Sequence, residues 1–289
     1  MSLRTVSAPA AIRHAVLMTH SDADDTSAAV ETAIASAAAP GVSIHADADE
    51  LVKHGAADLA PVDGLPDPDL CLVLGGDGTI LRALGRFADS NVPVFGINFG
   101  TIGFLAAVER EDLEAGLERA FAADFEVMAL PALDVRVPGG TRPALNDVSF
   151  TRRPYERVAE LAYSLGGREV GHVRCDGLVA ATPTGSTGYN LANNGPILAW
   201  GVEGYVVSFI APHTLTARAL VVAPDDVLHV RNVAARDGVD IALDGDPAGQ
   251  LNPGEEVEVR FRDGVGRLAQ LPGANFYRRI REKFGQLAH

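Results

Sequence analysis

Residues 74–79 read Leu-Gly-Gly-Asp-Gly-Thr, directly after the apolar run Leu70 to Leu74 and directly before a helical pattern. Glycines lack Cβ, so such a backbone can adopt positive φ and come close to a polyphosphate, while free N–H groups at a helix start favour anions. Asp77 needs a further reason. A carboxylate beside phosphates is repelled unless it holds Mg2+ or takes the proton of an attacking hydroxyl, and that combination points to phosphoryl transfer. The competing interpretation is a strand-to-helix turn in which glycine permits the bend and Asp77 caps the helix. Arg82, one helical turn beyond Gly78, belongs to the phosphate side or to a solvated face. Neither G-x-x-x-x-G-K-[ST] nor G-x-G-x-x-G occurs, so a P-loop NTPase and a Rossmann dehydrogenase are unsupported.

Further polar groups sit where apolar ones would be expected. Gly96-Ile97-Asn98-Phe99-Gly100-Thr101-Ile102-Gly103-Phe104-Leu105 follows the next strand, and adjacent loops at the carboxyl ends of neighbouring strands line one crevice in an open α/β sheet. Phe99, Ile102 and Phe104 are expected in the core even if the loop backbone binds a ligand. Asn146 and Asp147 interrupt an apolar strand; an amide next to a carboxylate suits an adenine edge or a ribose hydroxyl, and an Asn-Asp turn suits the same residues. Thr182-Pro183-Thr184-Gly185-Ser186-Thr187-Gly188-Tyr189-Asn190 offers a dense array of small hydroxyl donors, with an aromatic face at Tyr189 for a base.

The elements that must hold these residues fall into two halves. Up to residue 124, strands at His14 to Thr19, Val42 to His45, Leu70 to Leu74 and Val92 to Ile97 alternate with helices at Asp24 to Ala38, Thr79 to Ala88 and Glu111 to Ala122. That alternation predicts an α/β domain with a parallel sheet. From residue 125 to 272 the period changes to that of strands, including Ala144 to Phe150 and Val257 to Phe261, punctuated by turns such as Asp237-Gly238. A β-rich domain follows, then a C-terminal helix within residues 273–289.

Composition narrows the class. The 289 residues are 47% hydrophobic and 21% charged, which excludes disorder and coiled coil. A net charge of −14 disfavours nucleic acid and anionic membranes as partners. Only Lys53 and Lys283 are lysines, and Asp outnumbers Glu. Such a surface stays hydrated where concentrated salt screens repulsion, so the composition predicts high-salt adaptation; the alternative is an acidic protein from a high-GC organism. Cys71 and Cys175 are too few for a disulfide framework or a zinc site and are expected as buried thiols in a reducing cytoplasm. No signal-peptide core and no run of about 18 apolar residues is present.

Five segments in order resemble the NAD kinase family: GGDGT at 75–79, GINFGTIGFL at 96–105, LNDV at 145–148, DGL with TPTGSTGYN at 176–190, and APHTLTAR at 211–218. GGDG alone is shared with diacylglycerol-type lipid kinases, whereas TPTGSTGYN together with PHTL is specific. The resemblance implies an NAD kinase/diacylglycerol kinase-like fold with the site between the domains, in a cytoplasmic homodimer or homotetramer. The composition adds a halophilic archaeal source. The activity implied is phosphorylation of the 2′-hydroxyl of the adenosine ribose of NAD, with ATP or polyphosphate as donor and a divalent cation. Asp77 is then the proton acceptor for that hydroxyl or the group orienting it near Mg2+, Gly75, Gly76, Gly78 and Thr79 lie by the phosphates, and Asn146 and Asp147 hold adenosine. Arg174 and Asp176 lie toward the other end of NAD, and Thr184, Thr187, Gly188, Tyr189, Asn190, Leu191 and Ala192 form the loop around adenine and ribose. Asp246 is a further contact, and His213 either neighbours the ligand or ends a strand. Asp147 stands where the family more often has Glu, Gly188 where it often has Ala, and Asn193-Asn194 where Gly-Gly is frequent. A lipid kinase and a nucleotide-sensing module without turnover are the alternatives.

Overall fold

The computed structural model describes all residues except 1–4, 56, 57, 64, 66, 102 and 286–289. The chain divides into two compact units, Leu130–Val265 and the described residues of Leu3–Ala129 with Gly266–His289. The division falls at 129/130 and 265/266 instead of 124/125 and 272/273. Two long strands, Glu126–Val137 and Glu256–Gln270, account for the difference: each starts in one unit and ends in the other, so neither junction is a loop.

In the N-terminal unit the strands lie in the order Ala60–Pro61, Ser43–Ala46, His14–Thr19, Leu70–Gly75, Val94–Asn98, with Leu268 of the last long strand beside Val94. All these pairs are parallel. Leu70–Gly75 is buried throughout, as expected of a central parallel strand covered on both faces. The helix Asp77–Arg86 buries Thr79, Ile80, Leu81, Ala83 and Leu84, a stripe at helical spacing. Strand order runs one way from His14–Thr19 to Ser43–Ala46 and the other way to Leu70–Gly75. A doubly wound sheet opens a crevice beyond the strand ends at such a reversal.

The β-rich unit carries a six-stranded antiparallel sheet in the order Leu220–Val222, Tyr205–Ile210, Gly177–Ala181, Asp147–Arg152, Val239–Leu243, Asp246–Leu251. A second antiparallel layer contains Arg168–Cys175, Ala159–Leu165, Leu228–Asn232 and the start of Glu256–Gln270. Residues including Phe150, Leu161, Leu178, Tyr205 and Val230 form the core.

The continuous strand expected over Ala144 to Phe150 is two strands. Gly140–Ala144 pairs with Glu126–Val137, whereas Asp147–Arg152 belongs to the six-stranded sheet. At Leu145 and Asn146 the chain changes partners, and a side chain takes over the amides there. The helix Ala48–His54 was not expected, because it buries no residue and has no apolar stripe. Of the three aromatic or branched residues expected in the core, Phe104 is buried, Phe99 is partly buried against it, and Ile102 lies outside the described residues.

Candidate active site

The loop after Leu70–Gly75 is built by contact between backbones. A Cβ on Gly75 would meet the Thr79 side chain at 2.7 Å, and one on Gly100 would meet the Gly76 Cα at 2.9 Å. Phe99 N–H donates to the Gly75 carbonyl at 3.1 Å, tying the second glycine loop to the first. Gly75, Gly76 and Gly78 all lack positive φ, contrary to the expectation for this turn; the left-handed glycine is Gly103, at φ 70°. Gly75 is therefore small because Thr79 occupies its Cβ position, and Gly76 because a Cβ there would press on the Gly100 Cα at 3.3 Å. Gly78 is exposed, with open space where a Cβ would sit.

Gly76 precedes the helix in extended conformation, and Asp77 is its first residue. The amides of Asp77 and Gly78 lie ahead of the first intrahelical bonds, which run from Thr79 and Ile80 to the Gly76 carbonyl. Asp77 Oδ2 accepts from Phe104 N–H at 2.8 Å and Oδ1 from Leu105 N–H at 2.9 Å. Asp77 thus does not cap its own helix: its carboxylate is clamped in one orientation by the second loop. Arg82 is exposed on the same helix.

One cluster beside this turn escaped the sequence reading. Thr19, at the carboxyl end of the strand next to Leu70–Gly75, donates from Oγ1 to Glu50 Oε2 at 2.7 Å. Lys53 Nζ donates to Thr19 Oγ1 at 2.9 Å and to the His20 carbonyl at 3.0 Å, and pairs with Glu50 at 2.8 Å. His54 Nε2 lies 2.9 Å from Thr19 Oγ1, and burial lowers the affinity of its imidazole for a proton despite Glu50. Lysine scarcity was the available signal: one of the two lysines sits here.

In the β-rich unit the site residues gather around Asn146 and Asp147. Thr182 N–H donates to the Asn146 carbonyl at 2.8 Å, and Thr182 Oγ1 to the Leu145 carbonyl at 2.7 Å. A Cβ on Gly185 would meet the Asn146 carbonyl oxygen at 2.1 Å. The same construction on Gly188 lies 4.0 Å from both Asn146 Nδ2 and Asp147 Oδ2, which places the loop against that pair. Tyr189 is 41% exposed, and Gly188 and Ala192 are exposed beside it.

Most of the expected hydroxyl array points inward. Thr182 holds Gly185 N–H, Ser186 Oγ donates to the Pro183 carbonyl and accepts from Leu198 N–H, and Thr187 Oγ1 donates to the Thr184 carbonyl. These hydroxyls shape the loop. Asn190 is fully buried and donates to the Ser186 and Pro196 carbonyls. Asn146 Oδ1 and Thr184 Oγ1 are buried without a hydrogen-bond partner, and a buried polar atom in that state costs about 1–3 kcal/mol unless something satisfies it.

The carboxylate of the 244–246 turn that reaches this group is Asp244, not Asp246. Asp246 is exposed on the edge strand, whereas Asp244, at φ 53°, accepts from the amides of Leu145, Asn146 and Asp147 at 2.8, 2.7 and 3.0 Å. Those amides are the ones released where the chain changes sheets. Burial, with Asp244 close by, pushes Asp147 up to about 7; burial also raises Asp244, against the pull of its three amide donors. Asp176 accepts from Arg152 Nε at 2.7 Å, and Arg174 is exposed beside Glu160 at 3.4 Å. His213 and His172 are exposed. Cys71 and Cys175 are buried thiols pushed up to about 12 by desolvation, which makes them unreactive.

The ATP-NAD kinase C-terminal domain matches residues 145–266 and the N-terminal domain matches residues 66–125. The chain belongs to the NAD kinase family. An NAD kinase of Symbiobacterium thermophilum is 41% identical over 238 residues, covering 80% of this chain and 84% of that protein. One from Lachnoclostridium phytofermentans is 28% identical over 281 residues, covering 93% and 98%. Among solved structures, yeast NADH kinase complexed with NADH has a TM-score of 0.85 at 21% identity, covering 99% of this chain and 94% of that one. An Archaeoglobus fulgidus NAD kinase in complex with ATP has a TM-score of 0.73 at 24% identity, covering 96% and 98%. The NAD kinase-like fold, α/β with a parallel sheet plus an antiparallel β domain, is thus shared with these proteins.

Proposed function

We propose that this chain transfers a phosphoryl group from ATP or polyphosphate to the 2′-hydroxyl of the adenosine ribose of NAD, making NADP. The observation that carries this reading is the placement of Asp77. Its carboxylate is held by two backbone amides at the reversal of the parallel sheet, on the first turn of a helix whose leading amides favour anions. As the ribose oxygen bonds to the terminal phosphorus and the bond to the leaving phosphate breaks, the hydroxyl proton passes to Asp77. Catalysis of this kind rests on positioning and electrostatics.

In this reading Gly75, Gly76, Gly78 and Thr79 carry the donor side, with Arg82 within reach of the phosphates. Asn146, Asp147 and Thr184 hold adenosine, supported by the unsatisfied buried oxygens of Asn146 and Thr184. Thr187, Gly188, Tyr189, Asn190, Leu191 and Ala192 shape the adenine and ribose loop, and Arg174 and Asp176 serve the far end of NAD. Asp246, exposed on the edge strand two residues from the half-buried Asp244, is a further contact in the same reading.

Among the described residues no group of three or more His, Cys, Asp or Glu side chains is placed to hold a metal ion. A divalent cation such as Mg2+, held largely by the donor's phosphate oxygens and water, would neutralise charge on the phosphoryl group being transferred. A cytoplasmic homodimer or homotetramer is part of the same proposal, as is a salt-adapted, archaeal source. Among the described residues no helix is long and apolar enough to cross a membrane.

The test is NADP formation by the purified protein with ATP and, separately, with polyphosphate. Asp77→Asn is expected to lower the rate by about 10²- to 10⁴-fold while calorimetric NAD binding persists. Turnover by Asp77→Asn at the parental rate would remove the proposed role of this carboxylate.

A further inference from the structure

The C-terminal helix Phe276–Phe284 is a nine-residue element, too short to be stable alone, and it is anchored at several points. Asn275 caps it by accepting from Tyr277 and Arg278 N–H. Phe276 is buried, Phe284 stacks at a tilt on Phe104 with centroids 5.2 Å apart, and Lys283 donates to Glu109 at 3.1 Å. From this helix Arg279 turns inward. Its Nη1 donates to the Phe104 carbonyl and its Nη2 to Gln270 Oε1, while Gln270 Nε2 donates to the Leu105 carbonyl at 2.8 Å. Gln270 is itself buried, at 1% exposure.

The Phe104 carbonyl and the Leu105 N–H belong to one peptide group. Arg279 grips that group at its oxygen, and Asp77 Oδ1 accepts from its nitrogen. A cation on the oxygen polarises the amide and makes its N–H a stronger donor, and hydrogen bonds arranged in a chain strengthen one another. Asp77, Phe104, Leu105, Gln270 and Arg279 thus form a single hydrogen-bonded chain. It runs from a helix at the end of the sequence to the carboxylate at the phosphate turn.

We propose that Arg279 is a positioning residue for Asp77: through the Phe104–Leu105 peptide it holds the carboxylate in the orientation that receives the ribose hydroxyl. The inference rests on the role given to Asp77 above. Gln270 completes the hold by fixing the next carbonyl and the second guanidinium nitrogen.

A double-mutant cycle in kcat tests it, with KM for NAD and ATP recorded alongside. Arg279→Ala is expected to lower kcat about 10- to 100-fold, the scale of a misplaced catalytic group, with each KM within about threefold of the parent. Arg279→Lys recovers part of that loss, since an ammonium reaches one of the two acceptors but not both. In the Asp77→Asn background, Arg279→Ala changes kcat by less than about threefold, because residues acting as a unit are not additive.

An equal fold-loss in both backgrounds overturns the proposal, since Arg279 would then act independently of Asp77. So does a loss confined to KM, or an unchanged kcat in Arg279→Ala. If Arg279→Ala does not fold, the same cycle is run with Arg279→Gln, judged by the same criteria. Full turnover by Asp77→Asn alone would instead sink the role of Asp77, which separates that failure from failure of the relay.

Discussion

Two carboxylates at the same kind of position have different tasks because their hydrogen bonds differ. Asp244 accepts three amide donors, whereas Asp147 is buried beside it and pushed up to about 7. Asp147, raised by burial and by the neighbouring Asp244, exchanges its proton near neutral pH. The sign of the stability effect follows from the raised value. Below about pH 4 folded and unfolded chains both hold the proton; between about 4 and 7 the unfolded chain releases it while the folded one keeps it, so stability falls as pH rises. Asp147→Asn removes this titration. Urea midpoints are expected to show the variant losing less stability than the parent between pH 5 and pH 8, by on the order of 2 kcal/mol. A parallel pH dependence in the two proteins would show that Asp147 does not ionise in this window. Asp244 itself was hidden in the sequence because an Asp-Gly pair after a strand reads as a turn, and only the sheet change at Leu145 and Asn146 gives its carboxylate three amides to hold.

At the scale of elements, the two glycine loops act as one unit because their backbones touch. Gly100→Ala places a methyl 2.9 Å from the Gly76 Cα, and no side-chain rotation relieves a clash with backbone. The expected result is a loss of about 1–3 kcal/mol in thermal or denaturant unfolding, together with slower NADP formation as the Asp77 turn shifts. Gly85→Ala is the control: it meets nothing within 4 Å in the last turn of the helix Asp77–Arg86, and it is expected to raise stability by up to about 0.5–1 kcal/mol without slowing turnover. Equal effects from the two substitutions would contradict the contact. A strand with a strong apolar run, His14–Thr19, was legible to the residue. Asp246–Leu251 was not: it is an edge strand containing Pro247 and Gly249, and an edge needs no apolar alternation. The helix Ala48–His54 was invisible for a related reason, since it meets the sheet through Glu50, Lys53 and His54 and not through an apolar stripe.

For the whole molecule, the balance of 38 acidic against 24 basic residues sets the response to salt. Self-repulsion at a net charge of −14 destabilises the folded state in dilute buffer and is screened within about 3 Å at molar ionic strength. Several exposed arginines are already paired, as Arg119 is with Asp124 and Arg278 with Glu282, yet the acidic excess remains. The unfolding temperature and NADP formation are both expected to rise from dilute buffer to multimolar KCl. Equal stability and activity in the two conditions would leave the acidity without a role in salt tolerance.

Composition, period and ordered motifs were enough to specify an α/β half followed by a β-rich half, the glycine-rich strand-to-helix turn at Asp77 and the polar Asn146–Asp147 pair. Each of these is written in residues adjacent along the chain, where backbone freedom, apolar spacing and local donors follow from residue type. What waited for the tertiary structure were the partners that distant segments supply: Asp244 beneath the amides of 145–147, Gly100 against Gly76 of the turn, and Arg279 behind the peptide that holds Asp77. A hydrogen bond spanning 99 or 175 residues depends on how whole strands and helices pack, and no local pattern encodes it.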